Sequence, residues 1–350
     1  MTSGNSKRNE NIRRTLNIVL SIFLSIIFLY FAFRNSDLSK VFQYVSHPSF
    51  FWISVFITIT IFSHYLRALR WKVILHSVKA DVSIKNLFGA LMIGYGVNCV
   101  LPRVGEISRA VLIGKWEGLS RTSMFGTVII ERIIDLLFFG LTIIISVWMS
   151  ADIFRNFPWL RLTLYISFVV LTVGIVFLYL TIKLKEKFYN IIIRMLSRFS
   201  PRLASKSAYI FEMLTEGFAS LKGTKNFIYT FLLSIAIMFL YALNSYIGFF
   251  TIGMEHIKPV TFEMGWILMA ISSIGVAIPT PGGTGSYHIL ATSTLVLLFG
   301  FSQEISLAYA FLTHIINYFL FILISIVMFL VLNKHHLKLG KIVKADLEDI

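Results

Sequence analysis

Cysteine, charge and acidic residues are all scarce in this chain, and each scarcity removes a class of protein. Cys99 is the single cysteine among 350 residues, so an internal disulfide and any Cys-based metal spacing are excluded. Charged residues make up only 14% of the chain and hydrophobic ones 57%, whereas soluble domains keep about 25% charged residues. No stretch is long and polar enough to fold separately as a catalytic domain. No G-x-S-x-G elbow, P-loop or H-E-x-x-H pattern occurs, and His335-His336 stand in a basic tail without further ligands. These absences predict one integral membrane domain, 1–350, that is not an enzyme and has no metal and no cofactor. Acids number 17 against 32 Lys and Arg, a formal net charge of +15. The cations lie between apolar blocks rather than on one soluble face, so anionic lipid is the expected counterpart and nucleic acid is not.

What the chain has in abundance is long apolar blocks. Windows near the length of a membrane span fall at about 15–33, 50–70, 84–101, 123–149, 160–182, 227–251, 262–300 and 305–332. The first follows Lys7, Arg8, Arg13 and Arg14, is long for a secretory segment and has no small-x-small site after it, so an uncleaved span is expected. Lys and Arg collect at the amino terminus, around Arg70 to Lys85, in a loop at about 183–226 and in the tail 333–350. By the positive-inside rule these face the cytoplasm, with both termini inside a cell membrane. The connections near 34–48, 150–161 and 252–260 go outside. Ile191, Ile192, Met195, Leu196 and Phe199 sit at roughly helical spacing in the basic loop. It reads either as an amphipathic segment on the inner leaflet or as a solvated connector.

Two proline-glycine breaks interrupt these blocks: Leu101-Pro102-Arg103-Val104-Gly105-Glu106, and Pro279-Thr280-Pro281-Gly282-Gly283-Thr284-Gly285. Backbone that leaves the helix inside a bilayer is tolerated only where protein or a watery cavity covers it. The charge map makes both broken segments re-entrant hairpins, entering from opposite faces. The expected fold is therefore all-α and polytopic: about six full transmembrane helices plus two re-entrant hairpins. Its halves, about 15–149 and 160–332, read as an inverted repeat with the site at its centre. Asp135 follows Pro102, and His314 follows Pro281, by the same 33 positions.

The ionisable residues inside these blocks are the candidate site, because a charge in a bilayer is costly. Arg132 and Asp135, three apart, are expected to pair along a helix, which leaves Glu131 for Arg103 or Arg109. Glu106 and Arg109 are again three apart, directly after the first break. Helices starting at Gly105 and near Ser286 would turn free N–H groups toward an anion; close helix packing is the other use for such glycines. His64, Arg67, Arg70 and Trp71 end the second span. Snorkelling to the interface accounts for Arg70 and Trp71, while Arg67, a turn deeper, should face the bundle. His288 and His314 are candidate proton carriers, or packing residues with hydrogen bonds. Met92-Ile93-Gly94-Tyr95-Gly96 shares letters with a potassium-channel filter but enters from the basic side, which argues against that use.

Taken in order, Arg67-x-x-Arg70-Trp71, Asn98-x-Val100-Leu101-Pro102-x-x-Gly105-Glu106-x-x-Arg109, Glu131-Arg132-x-x-Asp135 and Pro281-Gly282-Gly283-x-Gly285 resemble one family over nearly the whole chain. It is the lysylphosphatidylglycerol synthetase transmembrane-region family, often called flippase-like. The resemblance implies a stand-alone membrane form without the aminoacyltransferase domain, which moves a phospholipid or polyprenyl-phosphate-linked lipid between leaflets. Arg103, Arg109 and Arg132 would then hold the phosphate, with Glu106 and Glu131 positioning them or carrying protons and the glycine hairpins gating. Where the family commonly has an acid, three positions after the last motif glycine, this chain has His288. That substitution favours an anionic or sugar-bearing lipid. A membrane enzyme transferring a group on a lipid phosphate, with Glu106 or Glu131 as base, and a small-solute transporter are the alternatives.

Overall fold

The computed structural model describes residues 2–34, 36–76, 78–150, 153–162 and 224–332, with scattered positions between 164 and 200. Most of the 160–182 span, nearly all of the 183–226 loop and the 333–350 tail therefore lie outside the described residues. The described chain is helical: α1 Thr2–Phe33, α2 Leu38–Ser46, α3 Phe50–Leu75, α4 Ile84–Val100, α5 Val104–Glu117, α6 Arg121–Met149 and the single turn α7 Ile153–Asn156. It continues with α8 Thr224–Thr251, α9 Phe262–Ala277, α10 Ser286–Leu297 and α11 Gln303–Leu332.

Phe50–Leu75, Lys225–Thr251 and Gln303–Leu332 are long and apolar enough to cross a membrane. Side chains such as Phe319, Leu323 and Leu330 on α11 are exposed, an apolar surface that needs lipid against it. The 34–48 connection is more structured than its sequence suggests. Asp37 caps α2 by accepting from the Ser39 and Lys40 N–H groups at 3.0 and 3.4 Å. Leu38, Val41, Phe42 and Val45 give α2 an apolar face, and it meets Ile18–Phe33 at 93° as a bent pair.

The described residues fall into two compact units. One takes the chain up to Phe62, Met92–Gly105 and everything described from Leu240 onward; the other takes Ser63–Leu91 and the described part of Glu106–Phe239. In the first unit α10 packs between α9 and α11 and also touches α1. A polar chain links three of its helices: Asn244 donates to the Thr60 hydroxyl at 3.0 Å, which lies 3.3 Å from the Asn317 carboxamide oxygen. Ile74, Ile130 and Ile134 form an apolar core in the second unit.

The base of the first hairpin is clamped in the second unit. Glu117, at the end of α5, accepts from Lys79 Nζ at 2.9 Å, Asn86 Nδ2 at 2.7 Å and the Ser83 N–H at 3.2 Å. Lys79 also donates to the Glu117 carbonyl at 3.0 Å, a cation at a helix carboxyl end. Burial pushes the Glu117 carboxyl up, but the hydrogen bonds from Lys79, Asn86 and Ser83 and the Lys79 charge outweigh it and hold the group below its ordinary value. A lowered folded pKa stabilises the fold above the unfolded value of about 4.3, and the gain is lost as pH falls through the folded pKa. The difference in thermal midpoint between the native chain and Glu117→Gln should therefore be largest near neutrality and shrink below about pH 4. A difference constant with pH would remove the clamp's electrostatic role.

Candidate functional site

Both helix breaks lie in the first unit, and they are built alike. Between α4 and α5 only residues 101–103 are non-helical. The turn is so tight that a Cβ on Gly105 would sit 1.9 Å from the Gly94 carbonyl oxygen. Between α9 and α10 a Cβ on Gly275 would sit 2.6 Å from the Ser286 carbonyl oxygen. In each case the contact joins residues eleven positions apart, 94 with 105 and 275 with 286. Glycine in these hairpins thus serves backbone contact. Gly96 makes room instead for the Ser325 side chain on α11, 2.3 Å from a new Cβ, so the filter-like letters around it serve helix packing.

Each break also satisfies a backbone N–H at the start of the helix that follows it. Asn98 Oδ1 accepts from the Gly105 N–H at 2.7 Å, and His288 Nδ1 accepts from the Gly285 N–H at 3.2 Å. A side chain three residues into the helix that reaches back to the cap is a capping box, a role usually filled by Glu or Gln. His288 therefore does here what a carboxylate at that position would do. Acceptance at Nδ1 leaves the proton of the neutral ring on Nε2. His314 lies beside it, ring centroids 4.7 Å apart, with its Nε2 3.2 Å from the Thr284 hydroxyl.

The two breaks meet. Arg103 adopts a left-handed backbone, φ 66°, uncommon for a residue with a side chain. Its guanidinium donates to the carbonyl of Ala277 at 3.3 Å, the last residue of α9. Tyr318 on α11 donates to the Cys99 carbonyl at 2.7 Å, and Gly282 fits between that ring and the Cys99 backbone. Pro102, Pro279, Pro281 and Gly283 complete the irregular backbone, with Gly282, Gly283 and Gly285 all at positive φ. The sequence offered Arg103 to Glu131; the structure gives it the carboxyl end of α9.

In the second unit seven ionisable side chains converge. Glu131 is fully buried, and its two oxygens accept from Arg67 Nη2 at 2.6 Å and Arg109 Nη1 at 2.7 Å. Asp135 accepts from Arg67 Nη2 at 2.7 Å and pairs closely with Arg70. Arg132 lies 3.5 Å from Asp135 and 3.4 Å from Glu131, while Glu106 lies 3.1 Å from Arg109 and 3.6 Å from Arg132. The expected pairs Arg132 with Asp135 and Glu106 with Arg109 are thus present. Four arginines against three carboxylates leave a formal charge of +1. Exposure is graded across the cluster, from nothing at Glu131 and 2% at Arg109 to 32% at Glu106 and 37% at Arg132. Glu106 and Arg132 form its open edge.

Arg70 and Trp71 correct the expectation of snorkelling. Neither side chain reaches the protein surface, since both are fully buried. Arg70 Nη1 donates to Ser234 at 3.0 Å, and Trp71 Nε1 donates to Thr127 at 3.1 Å while its ring faces the Arg109 guanidinium at 5.0 Å. The ion partners outcompete the interface because a guanidinium with Asp135 and Ser234 in reach keeps its hydrogen bonds without water. Ser234 and Thr127 carry no signal in sequence. Asn244 and Asn317 do, as amides inside apolar helices. Among the described residues no group of His, Cys, Asp and Glu could hold a metal ion.

Paired helix breaks and a buried arginine-carboxylate cluster, on helices with exposed apolar surfaces, define an all-α polytopic membrane protein. The chain belongs to the family described as the lysylphosphatidylglycerol synthase TM region, which matches residues 18–325. Similar proteins include a UPF0104 membrane protein of Methanothermobacter thermautotrophicus, 32% identical over 115 residues, which are 31% of this chain and 33% of that protein. A UPF0104 membrane protein of Methanocaldococcus jannaschii is 26% identical over 139 residues, 38% of this chain and 41% of that protein. The matched stretches thus span well under half of either relative. No solved structure matches the chain.

Proposed function

We propose that the protein moves an amphiphilic lipid with a phosphate-bearing headgroup, a phospholipid or a polyprenyl-phosphate-linked lipid, between membrane leaflets. The observation that carries this reading is the arginine cluster with one open edge. Arg67 and Arg70 are consumed by Glu131 and Asp135, whereas Arg132 and Arg109 meet at the edge where Glu106 is exposed. Guanidinium groups suit phosphate because their forked donors match its oxygens. The family supports a lipid setting through its description as the membrane region of a lipid synthase. Movement without chemistry fits Glu131, since both its oxygens are taken by arginines, which is poor placement for a base. We place the chain in the cytoplasmic membrane with both termini inside, on the basic segments around Lys79 and Lys85, with membrane lipid as its partner.

Reconstitution into liposomes carrying fluorescent phospholipids or polyprenyl phosphates tests the proposal. Translocation should rise at least about tenfold over empty liposomes for one phosphate-bearing class and fall back in Arg132→Gln, a loss of about 1.4 kcal/mol or more in barrier lowering. Folded protein that accelerates no headgroup class would sink the idea. A lipid covalently changed by incubation, seen by mass spectrometry, would replace it with group transfer.

A further inference from the structure

We infer that Glu106 occupies the anion subsite of the arginine cluster when no substrate is bound, and that an incoming phosphate displaces it from Arg109 and Arg132. The inference rests on the headgroup reading above and adds how the site is kept and opened. Its first support is geometric. Glu106 Oε2 lies 3.1 Å from Arg109 Nη2 and 3.6 Å from Arg132 Nε. Yet these three buried atoms, and Arg109 Nε with them, make no hydrogen bond. Glu131, by contrast, takes aligned bonds of 2.6 and 2.7 Å. Glu106 is close enough to neutralise the arginines and too badly aligned to satisfy them.

Arg109 is held by a hydrogen bond and by packing, whereas Glu106 Oε2 makes ion-pair contacts without a hydrogen bond. The Arg109 side chain is 2% exposed, held through Nη1 by Glu131 and lying across the Trp71 ring. Its unsatisfied Nη2 is therefore a donor aimed from a rigid support at the place where Glu106 sits. Glu106 stands in the first turn of α5, just past the non-helical break, with its side chain a third exposed. A carboxylate presents two oxygens in one plane; a phosphate presents a tetrahedron, and one phosphate can meet Arg109 and Arg132 along separate axes. Exchange of one anion for another also keeps the buried charge balanced, so neither state leaves bare arginines. The start of α5 favours an anion of either kind. The ligand chemistry is a phosphate ester or free phosphate.

Binding to the purified full chain in detergent tests this, with dioctanoyl phosphatidic acid as probe and dioctanoylglycerol as the phosphate-free control. Glu106→Gln, which removes the competing charge, should bind the phosphatidic acid about five- to tenfold more tightly than the native chain. Glu106→Asp keeps the competitor and should stay near native affinity. Arg132→Gln, or Arg132→Lys if the first does not fold, should bind it about tenfold more weakly. Dioctanoylglycerol should bind all of them equally. If Arg132→Gln weakens binding but Glu106→Gln leaves it unchanged or weaker, Glu106 is a structural partner and the displacement is overturned while the headgroup site stands. If neither Arg132 variant alters phosphatidic acid binding, the headgroup reading itself fails. Competition by inorganic phosphate assigns the subsite to phosphate from any source, and its absence assigns it to lipid-borne phosphate; both support displacement.

Discussion

Replacing Glu131 with alanine should cost the protein a large fraction of its stability. The side chain is fully buried, bonded to Arg67 at 2.6 Å and Arg109 at 2.7 Å, with Arg70 and Arg132 both at 3.4 Å. Without it four arginines face two carboxylates, and the formal charge of the cluster rises from +1 to +2. Removing one member of a buried ion pair costs about 3–5 kcal/mol, because the remaining charges stay out of water unpaired. Against a total stability of about 5–15 kcal/mol that is a large fraction. Glu131→Gln keeps the shape and one acceptor oxygen and should cost less, though its amide nitrogen then faces a guanidinium. Arg132→Gln at the open edge should cost no more than about 1 kcal/mol, since a partly exposed pair is screened by solvent. Thermal unfolding of the three variants in detergent checks the order. A Glu131→Ala midpoint within a degree or two of the native chain would show that the cluster is not what holds α3, α5 and α6 together in their unit.

Much of this site can be read from spacing along the chain. Intervals of three along one helix join Arg132 to Asp135 and Glu106 to Arg109, because such positions share a face, and both pairs form. A proline or glycine that stops a helix within an apolar block also reads directly, and α5 and α10 start at the two breaks. Partners separated by long stretches of chain are what spacing hides. Ser234 lies 164 positions from the arginine it serves, and no periodicity links them. Arg70 misleads for the same reason: a cation near a helix end fits the interface equally well until Asp135 and Ser234 are seen beside it. Arg103 shows the converse. Its charge suggests an acid, but a guanidinium also caps a helix carboxyl end, and the Ala277 carbonyl claims it. The α2 helix is hidden because nine residues between spans resemble a loop, although the Asp37 cap marks its start.

Gly105→Ala should be nearly as damaging as loss of Glu131, and for a different physical reason. Its Cβ would fall 1.9 Å from the Gly94 carbonyl oxygen and 2.7 Å from Asn98 Oδ1. Asn98 can rotate away, at the loss of its bond to the Gly105 N–H; the Gly94 backbone cannot. The two arms of the hairpin would have to part. Overpacking a tight contact costs about 1–3 kcal/mol, and a clash with backbone belongs at the top of that range. Parting the arms also moves the start of α5, which carries Glu106 and Arg109, so the proposed headgroup binding should weaken even in the fraction that folds. Gly275→Ala should follow, with its Cβ 2.6 Å from the Ser286 carbonyl oxygen. Gly118 is the control. It has a positive φ of 65° but nothing within 4 Å of a new Cβ, so alanine there should cost only the left-handed backbone, about 1–2 kcal/mol, and leave lipid binding intact. Gly105 and Gly275 have no left-handed backbone to explain a loss, so if their alanines lower the melting midpoint no more than Gly118→Ala does, close contact between the arms is not what these glycines serve. If Gly105→Ala and Gly275→Ala lower it well beyond Gly118→Ala, close contact between the arms is what each break requires.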